Sequence, residues 1–217
     1  MEANSPRPLE QALAALQQKY GWIVDYEDPR YVSQSDIVEM PGDVAHAHVP
    51  AGRSFSVDFP ATEPEEAQTL RLVVDAYNSS QNPGKFELRR NATGDFYVVG
   101  TAAHDDKGAM AEQKAVLDLP VTLATKERTI LETINLICHA LEKQSHTKVI
   151  VGVYPESMLS HTLVKIGGAK MPARDLLLQA LLGASRSTYW RLHFDPDSKQ
   201  YFLDIHSYGP SHSSPPK

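Results

Sequence analysis

Two histidines one residue apart, His46 and His48, are the first pattern in the sequence that could do chemistry. In an extended segment both imidazoles project to the same side, as a pair of metal ligands requires. A third ligand could come from Asp43 or from the more distant His104. Two histidines without a defined third ligand do not fix a metal site, so solvated loop histidines are the competing interpretation. No cofactor is predicted.

The last hairpin of the chain carries a second candidate binding site. If its apolar residues face the core, four polar residues share the opposite face of the hairpin: Arg191, His193, Asp204 and His206. Such a face could bind an anion or a metal ion. The competing interpretation is an ordinary solvated sheet face with charge pairs between its two strands.

Neither the cysteine nor the glycine pair predicts catalysis. Cys138 falls on the apolar face of a predicted helix, and His139 points about 100° away from it. A buried structural thiol is therefore expected, because a nucleophile needs exposure and a base within reach. The segment from Gly167 to Lys170 lacks both the P-loop pattern and the GxxG loop of KH modules. We expect a protein that is not an enzyme and binds no nucleic acid.

The composition is that of an ordinary soluble globular protein. Of its 217 residues, 41% are hydrophobic and 22% are charged, and the formal net charge is -6. The negative charge opposes a phosphate-binding surface, and a single cysteine excludes an internal disulfide. No run of about 18 apolar residues occurs, so no membrane-spanning helix is predicted. Residues 1–8 lack the apolar core of a signal peptide.

The first half of the chain, residues 8–102, predicts helix, strand, strand, helix and hairpin in that order. Apolar residues between Leu9 and Tyr20 have the spacing of one helical face, and Gly21 ends that helix. An apolar strand follows directly.

Residues 33–53 are polar and irregular, so they predict a long loop with at most one short strand. A strand with one buried face is expected at Phe55–Phe59. Thr62 and Glu65 have the spacing of a capping box at the start of the second helix.

The second half, residues 116–206, repeats this order after a polar segment, residues 103–115, that we interpret as a linker. It opens with an additional strand, residues 116–123. A capping box formed by Thr129 and Glu132 then begins a helix. Residues 207–217 are rich in serine and proline and predict a disordered tail.

The shared order predicts an α+β protein built as two tandem modules. Each module would contain a small mixed or antiparallel sheet with two helices packed on it. The two differ in the long loop of the first module and the additional strand of the second.

The second half contains a segment, residues 173–183, with the sequence Ala-Arg-Asp-Leu-Leu-Leu-Gln-Ala-Leu-Leu-Gly, which precedes the final hairpin at residues 188–192. Together with the helix and strand at residues 9–29, this pattern resembles the secretin and TonB short N-terminal domain. The resemblance covers most of residues 8–102 and 116–206. The sequence departs from the family pattern because no barrel or pore domain follows these residues.

The resemblance implies periplasmic α+β modules that contact protein partners in envelope transport or signalling, without catalytic residues. We therefore expect a periplasmic or secreted protein-interaction or accessory module of the bacterial envelope, which docks partners through a sheet edge or a helix–sheet groove. The Phe55–Phe59 strand and the 33–53 loop are the expected docking region. The alternative is a metal- or small-ligand-binding protein that uses His46 and His48 or the polar face of the last hairpin.

Overall fold

The structure, a computed structural model, describes residues 1–3, 5–40, 46–59, 64–185 and 187–208. Three predictions fall on other residues: Asp43 as a metal ligand, Thr62 as part of a capping box, and most of the tail at residues 207–217. Ser207 itself is described and is the last residue of the final strand.

The described residues form a mixed α+β fold, which confirms the predicted fold class. The helices are α1 (Pro8–Tyr20), α2 (Glu66–Ser79), α3 (Ile130–Ser145), α4 (Glu156–His161) and α5 (Ala173–Leu182). The strands are β1 (Glu2–Ala3), β2 (Val24–Glu27), β3 (Ile37–Glu39), β4 (His48–Pro50), β5 (Phe55–Ser56), β6 (Lys85–Arg90), β7 (Phe96–His104), β8 (Met110–Glu112), β9 (Pro120–Thr129), β10 (Val149–Val151), β11 (Leu163–Pro172), β12 (Thr188–Asp195) and β13 (Gln200–Ser207).

One sheet runs through both halves of the chain, in the order β10-β13-β12-β2-β7-β6. The strand order is the same in each half. In the first half, β2 pairs in parallel with β7, and β7 pairs antiparallel with β6. In the second half, β10 pairs in parallel with β13, and β13 pairs antiparallel with β12. Three further pairs, β1 with β5, β3 with β4 and β9 with β11, form separate small sheets.

The two halves bury opposite faces of the shared sheet. In the first half, Val24 and Tyr26 of β2 pack into a core with α1 and α2. In the second half, Leu192 of β12 and Leu203 of β13 pack into a core with α3 and α5. Side chains alternate between faces along a strand, and Leu192 stands beside Glu27 rather than beside Tyr26. Each half therefore covers the face that the other leaves open.

Local helix signals are confirmed at two places and wrong at a third. Gly21 ends α1 with a left-handed φ of 76°, and Thr129 with Glu132 forms the expected capping box of α3. Helix α2 instead begins at Glu66, with the Glu65 carboxylate accepting hydrogen bonds from the first-turn N–H groups. Glu65 is thus itself the N-cap and not the third residue of a capping box.

The segment between the halves, which the sequence predicts to be a linker, contains strand pairing. Strand β7 extends to His104 and turns at Asp105 into β8, which pairs back on β7. The Asp105 carboxylate accepts hydrogen bonds from the N–H groups of Lys107 and Ala109 and fixes the turn. The strand expected at residues 116–123 is also displaced, because a 3₁₀ turn precedes β9.

The contact between β12 and β2, which we call the seam, joins the two halves over only two residue pairs. Aspartate side chains extend the contact beyond these two pairs. The N–H of Trp190 donates to the Asp25 carboxylate at 2.9 Å, and the N–H of Phe194 donates to Asp28 at 3.0 Å. Burial raises the pKa of Asp25 to about 7, although the Trp190 hydrogen bond opposes this.

A buried ion pair lies beside the seam. Arg174 of α5 places Nη2 2.6 Å from Oε2 of Glu27 and Nε 2.9 Å from Oδ1 of Asp118. Its guanidinium also lies over the rings of Tyr97 and Trp190, at 4.4 and 5.1 Å. Glu27 is completely buried, and this burial raises its pKa even though Arg174 favours the carboxylate. The pair thus ties the second half to the central strand of the first.

Candidate binding cleft and open strand edge

The four polar residues of the last hairpin lie on one face, as their alternation predicts. Arg191 and Asp204 are direct cross-strand partners, and His193 and His206 stand on either side of them. Helix α1 covers part of this face, because Oε1 of Glu10 lies 3.0 Å from Nε2 of His193 and 3.6 Å from Nε of Arg191. The open, solvated face considered from the sequence is therefore partly buried.

His193 is held between two carboxylates. Its Nδ1 lies 3.4 Å from Oδ2 of Asp204, and its Nε2 faces Glu10. Burial by itself lowers the pKa of His193, but the hydrogen bonds to Asp204 and Glu10 outweigh it and raise the pKa to about 9. The imidazole is consequently a cation at neutral pH and is not a free metal ligand.

Asp204 also fixes the chain where β10 ends. Its Oδ1 accepts a hydrogen bond from the N–H of Val153 at 2.7 Å. A Cβ at Gly152 would collide with the same oxygen, so only glycine allows this approach. Burial tends to raise the pKa of Asp204, but the hydrogen bonds from His193 and Val153 lower it overall. The sequence signal for this contact is a glycine inside an apolar strand.

The other two hairpin residues serve the packing of the sheet. Arg191 is 3% exposed, donates to the C=O of Val24 across the seam, and lies over the Tyr189 ring at 4.9 Å. His206 stacks on the same ring at 5.1 Å. Burial and then the charge of Arg191 lower the pKa of His206. The four predicted residues are thus together in space but differ in their contacts.

The predicted histidine pair does not form one site. His46 has a φ of 55°, so the extended conformation assumed for this segment is wrong at that residue. Nδ1 of His46 bonds to Glu39, whereas Nδ1 of His48 lies 2.7 Å from Oδ1 of Asp197 in the turn of the last hairpin. The two imidazoles therefore pair with carboxylates from different elements.

His104, the proposed remote ligand, is engaged elsewhere. The buried Asp36 carboxylate accepts hydrogen bonds from both the ring Nδ1 of His104, at 2.6 Å, and its main-chain N–H, at 3.0 Å. Among the described residues, no group of three histidine, cysteine, aspartate or glutamate side chains is arranged to hold a metal ion. The other candidate ligand, Asp43, lies outside them.

One cleft of about 450 Å³ does bring the two predicted sites together. It lies between the start of α1, the β3–β4 hairpin and the end of β10. Its polar lining includes His48, His193 and Asp204, and the apolar part includes Val153 and Phe202. Neither His46 nor Arg191 reaches this cleft.

Arg7, which the sequence analysis did not select, stands at the rim of the cleft. Its Nε lies 2.7 Å from Oδ2 of Asp28, and its Nη2 donates to the C=O of Phe194. The cleft therefore combines fixed charged groups with apolar side chains, an arrangement common in ligand and peptide sites.

The interpretation of Cys138 as a buried thiol is confirmed. The side chain is 3% exposed, and burial raises the pKa of the thiol to about 12. The neighbouring His139 lies at the surface, with Nδ1 3.9 Å from Glu142. The thiolate needed for nucleophilic or redox chemistry is therefore strongly disfavoured.

The two edge strands of the shared sheet, β6 and β10, differ in the charge of their side chains. Strand β6 alternates charged residues, Lys85, Glu87 and Arg89, with apolar ones. Strand β10 contains only valine and isoleucine, and the following Val153 is 67% exposed. Charges on an edge strand protect it from pairing with other chains, whereas an apolar edge invites pairing.

The main chain of β10 has an unpaired side. The C=O of Lys148 accepts from Tyr201 and the N–H of Gly152 donates to Leu203, at 2.8 and 2.9 Å. Val149 and Val151 are out of phase with these residues, so they direct their N–H and C=O groups away from β13. Within the described residues, no strand pairs with that side of β10.

The docking region expected from the sequence lies elsewhere. Strand β5 (Phe55–Ser56) is only two residues long and pairs with β1, outside the shared sheet. The 33–53 loop contributes the β3–β4 hairpin, which contacts the turn of the last hairpin through His48. The loop therefore contributes a wall of the cleft, and the open edge is at β10.

Comparison with protein families, curated proteins and solved structures finds no match to this chain, so the resemblance stated above stays a prediction. In the part of the chain that the structure describes, no helix has both the length and the apolar character needed to cross a membrane.

Proposed function

We propose that this protein is an interaction module that binds an extended segment of a protein partner along strand β10. The observation that carries the proposal is the apolar, unpaired side of β10, in contrast to the charged edge at β6. A partner strand would satisfy the outward N–H and C=O groups of Val149 and Val151 and extend the sheet.

The cleft supports the same proposal because it begins where β10 ends. Gly152 and Val153 line the cleft and directly follow the strand. A partner segment laid along β10 would therefore pass its next residues over Val153 and towards Phe202. Main-chain pairing along β10 would supply affinity, and the side chain that enters the cleft would supply selectivity.

A displayed library of random linear peptides tests the proposal without knowledge of the natural partner. Selected peptides should bind the wild-type protein and slow amide exchange at Val149 and Val151, as measured by NMR. The amides of Ile150 and Gly152 should be protected in the free protein already, because they face β13.

Two variants of Val151 provide the matched comparison. Val151→Pro removes an outward N–H that β13 does not use, so it should abolish peptide binding while the sheet remains folded. Val151→Thr keeps the N–H and nearly the same shape, so it should bind. Peptides that protect other amides, or that bind the proline variant as well as the wild type, would contradict the proposal.

A second candidate function is small-ligand binding in the cleft, which is favoured by the meeting of His48 with the charged pair His193 and Asp204. Titration with acetate, a small carboxylate, in a calorimeter tests it. Loss of the binding heat in His48→Ala but not in His46→Ala would support this function, since His46 does not line the cleft. Equal heats in both variants would count against it.

We also propose a bacterial-envelope setting, periplasmic or secreted, and an origin of the two halves by duplication of a unit like the secretin and TonB short N-terminal domain. The setting is supported by the resemblance alone. The duplication is supported as well by the strand order that both halves share. Fractionation of the source cells tests the setting: recovery with the cytosolic fraction would contradict it.

A further inference from the structure

We infer that a second copy of this chain is a partner of strand β10, so that two copies pair antiparallel about a two-fold axis at Ile150. The inference rests on the proposed function, because it names the occupant of the same strand edge. A strand edge can pair antiparallel with the same edge of a second copy only if the residues on both sides of the two-fold axis are compatible. The residues around Ile150 meet this condition.

The main chain sets the register of the pairing. Val149 and Val151 direct their hydrogen-bonding groups outwards, so Val149 of one copy must stand opposite Val151 of the other. Each of these two symmetric pairs exchanges both of its hydrogen bonds. Ile150 then stands opposite Ile150 of the second copy, as a pair without hydrogen bonds.

Charge complementarity supports this register. It places Lys148 opposite Gly152 of the second copy, where no side chain occupies the space. The carboxylate of Asp204 fills the position next to that glycine, on the same face of the sheet. Lys148 is exposed and forms no ion pair within the described residues, so its ammonium group can reach across Gly152 to the second copy's Asp204. The two-fold axis repeats this contact.

The apolar side chains fit the same arrangement. Ile150 is half-buried and stands beside Phe202 of β13 on the partly open face of the second half. Contact between the two copies of Ile150 would cover a stripe that runs from one Phe202 to the other. Val149 and Val151 would pack across the strands on the opposite face.

Disulfide trapping with a register control tests the inference. Opposed residues without hydrogen bonds have Cα atoms about 4.5 Å apart, which suits a disulfide. Ile150→Cys should therefore form a covalent dimer under mild oxidation. Val153→Cys should not, because the register separates its two copies by roughly 20 Å of strand. The native Cys138 is 3% exposed and can remain in both variants.

The wild-type protein provides a measurement that needs no variant to fold. Its mass from light scattering should rise from 24.0 kDa towards twice that value as concentration increases. Lys148→Glu should raise the dissociation constant about tenfold, and Lys148→Arg should leave it near the wild-type value.

The outcomes separate this inference from the proposed function. A constant mass of one chain, or equal trapping of Ile150→Cys and Val153→Cys, overturns the self-pairing. If peptides still protect the β10 amides in that case, the edge accepts other proteins and the proposed function stands. If neither copies nor peptides bind there, both fail.

Discussion

Replacing Arg174 with methionine should destabilise the protein at neutral pH. The size of the effect depends on the cost of burying Glu27 without its cation. Methionine keeps an apolar chain against Tyr97 and Trp190 but leaves the completely buried Glu27 without its cation. A buried carboxylate without a partner is too costly to keep, so Glu27 should take up a proton on folding.

The pKa values give the size of the effect. The ordinary pKa of a glutamate is 4.5, which is about 2.5 units below pH 7. The unfolded chain must therefore gain a proton on Glu27 against this difference if the folded state keeps the side chain neutral. At about 1.4 kcal/mol per unit, the cost of that proton is at most about 3.4 kcal/mol. The loss of an ion-pair partner in a buried pair typically costs about 3–5 kcal/mol, and only the lower end of that range lies below this ceiling.

The sign of the pH dependence follows from the proton. In the variant, the folded pKa of Glu27 lies well above its unfolded value, so the folded state binds the proton more tightly. At and below pH 4.5, Glu27 is largely neutral in the unfolded chain too, so its protonation on folding costs little. The free energy of unfolding of the variant then falls as pH rises towards 7. The variant should therefore differ little from the wild type near pH 4.5. At pH 7 it should be less stable by an amount below about 3.4 kcal/mol, because the raised pKa of Glu27 gives the wild type part of the same decline.

Urea unfolding of both proteins at pH 4.5 and pH 7 measures this difference. A matched double variant, Glu27→Gln with Arg174→Met, has no titrating group at this position and should lose the pH-dependent part. An Arg174→Met penalty of equal size at both pH values would refute the reasoning, because the cost would then come from packing and not from the buried carboxylate.

Three further predictions concern the other fixed groups. Asp25→Asn should remove a slope of about 1.4 kcal/mol per pH unit from urea-unfolding free energies between about pH 4 and 7, because the raised pKa of Asp25, about 7, makes wild-type stability fall over that range. Glu10→Gln should lower the pKa of His193 from about 9 towards 6.5, measured by NMR titration of the ring. In the wild type, the stability that His193 contributes is complete below pH 6.5 and is lost as pH rises through about 9. Gly100→Ala should lower thermal stability by about 1–3 kcal/mol, because the new Cβ would meet the main chain of Pro29; an unchanged melting temperature would contradict this.

The elements that depend on neighbouring residues could be predicted from the sequence. Gly21 ends α1 and Thr129 starts α3 because both signals act within one helical turn. The pairing of β12 with β13 follows from alternation around one short turn, and this also placed Arg191 and Asp204 on one face.

The seam and the cleft could not be predicted, because their contacts join residues far apart in the chain. Asp25 looks like a solvent-facing residue of a strand, yet its partner is the main chain of Trp190 in the second half. Glu27 is a surface residue by type and is buried only because Arg174 meets it from α5. His48 reaches the cleft through Asp197, 149 positions later, and no local pattern contains that information.

The shared sheet has a consequence for the order in which the protein is made. Strand β2 leaves the ribosome early, but its partner across the seam, β12, begins at Thr188. One side of β2 and the carboxylate of Asp25 therefore lack their hydrogen-bond partners for most of synthesis. Pairing over so long a separation is slow, and an exposed strand side is prone to wrong contacts in the meantime. The nascent first half thus exposes an unpaired edge of β2, which is prone to aggregation until β12 has been synthesised.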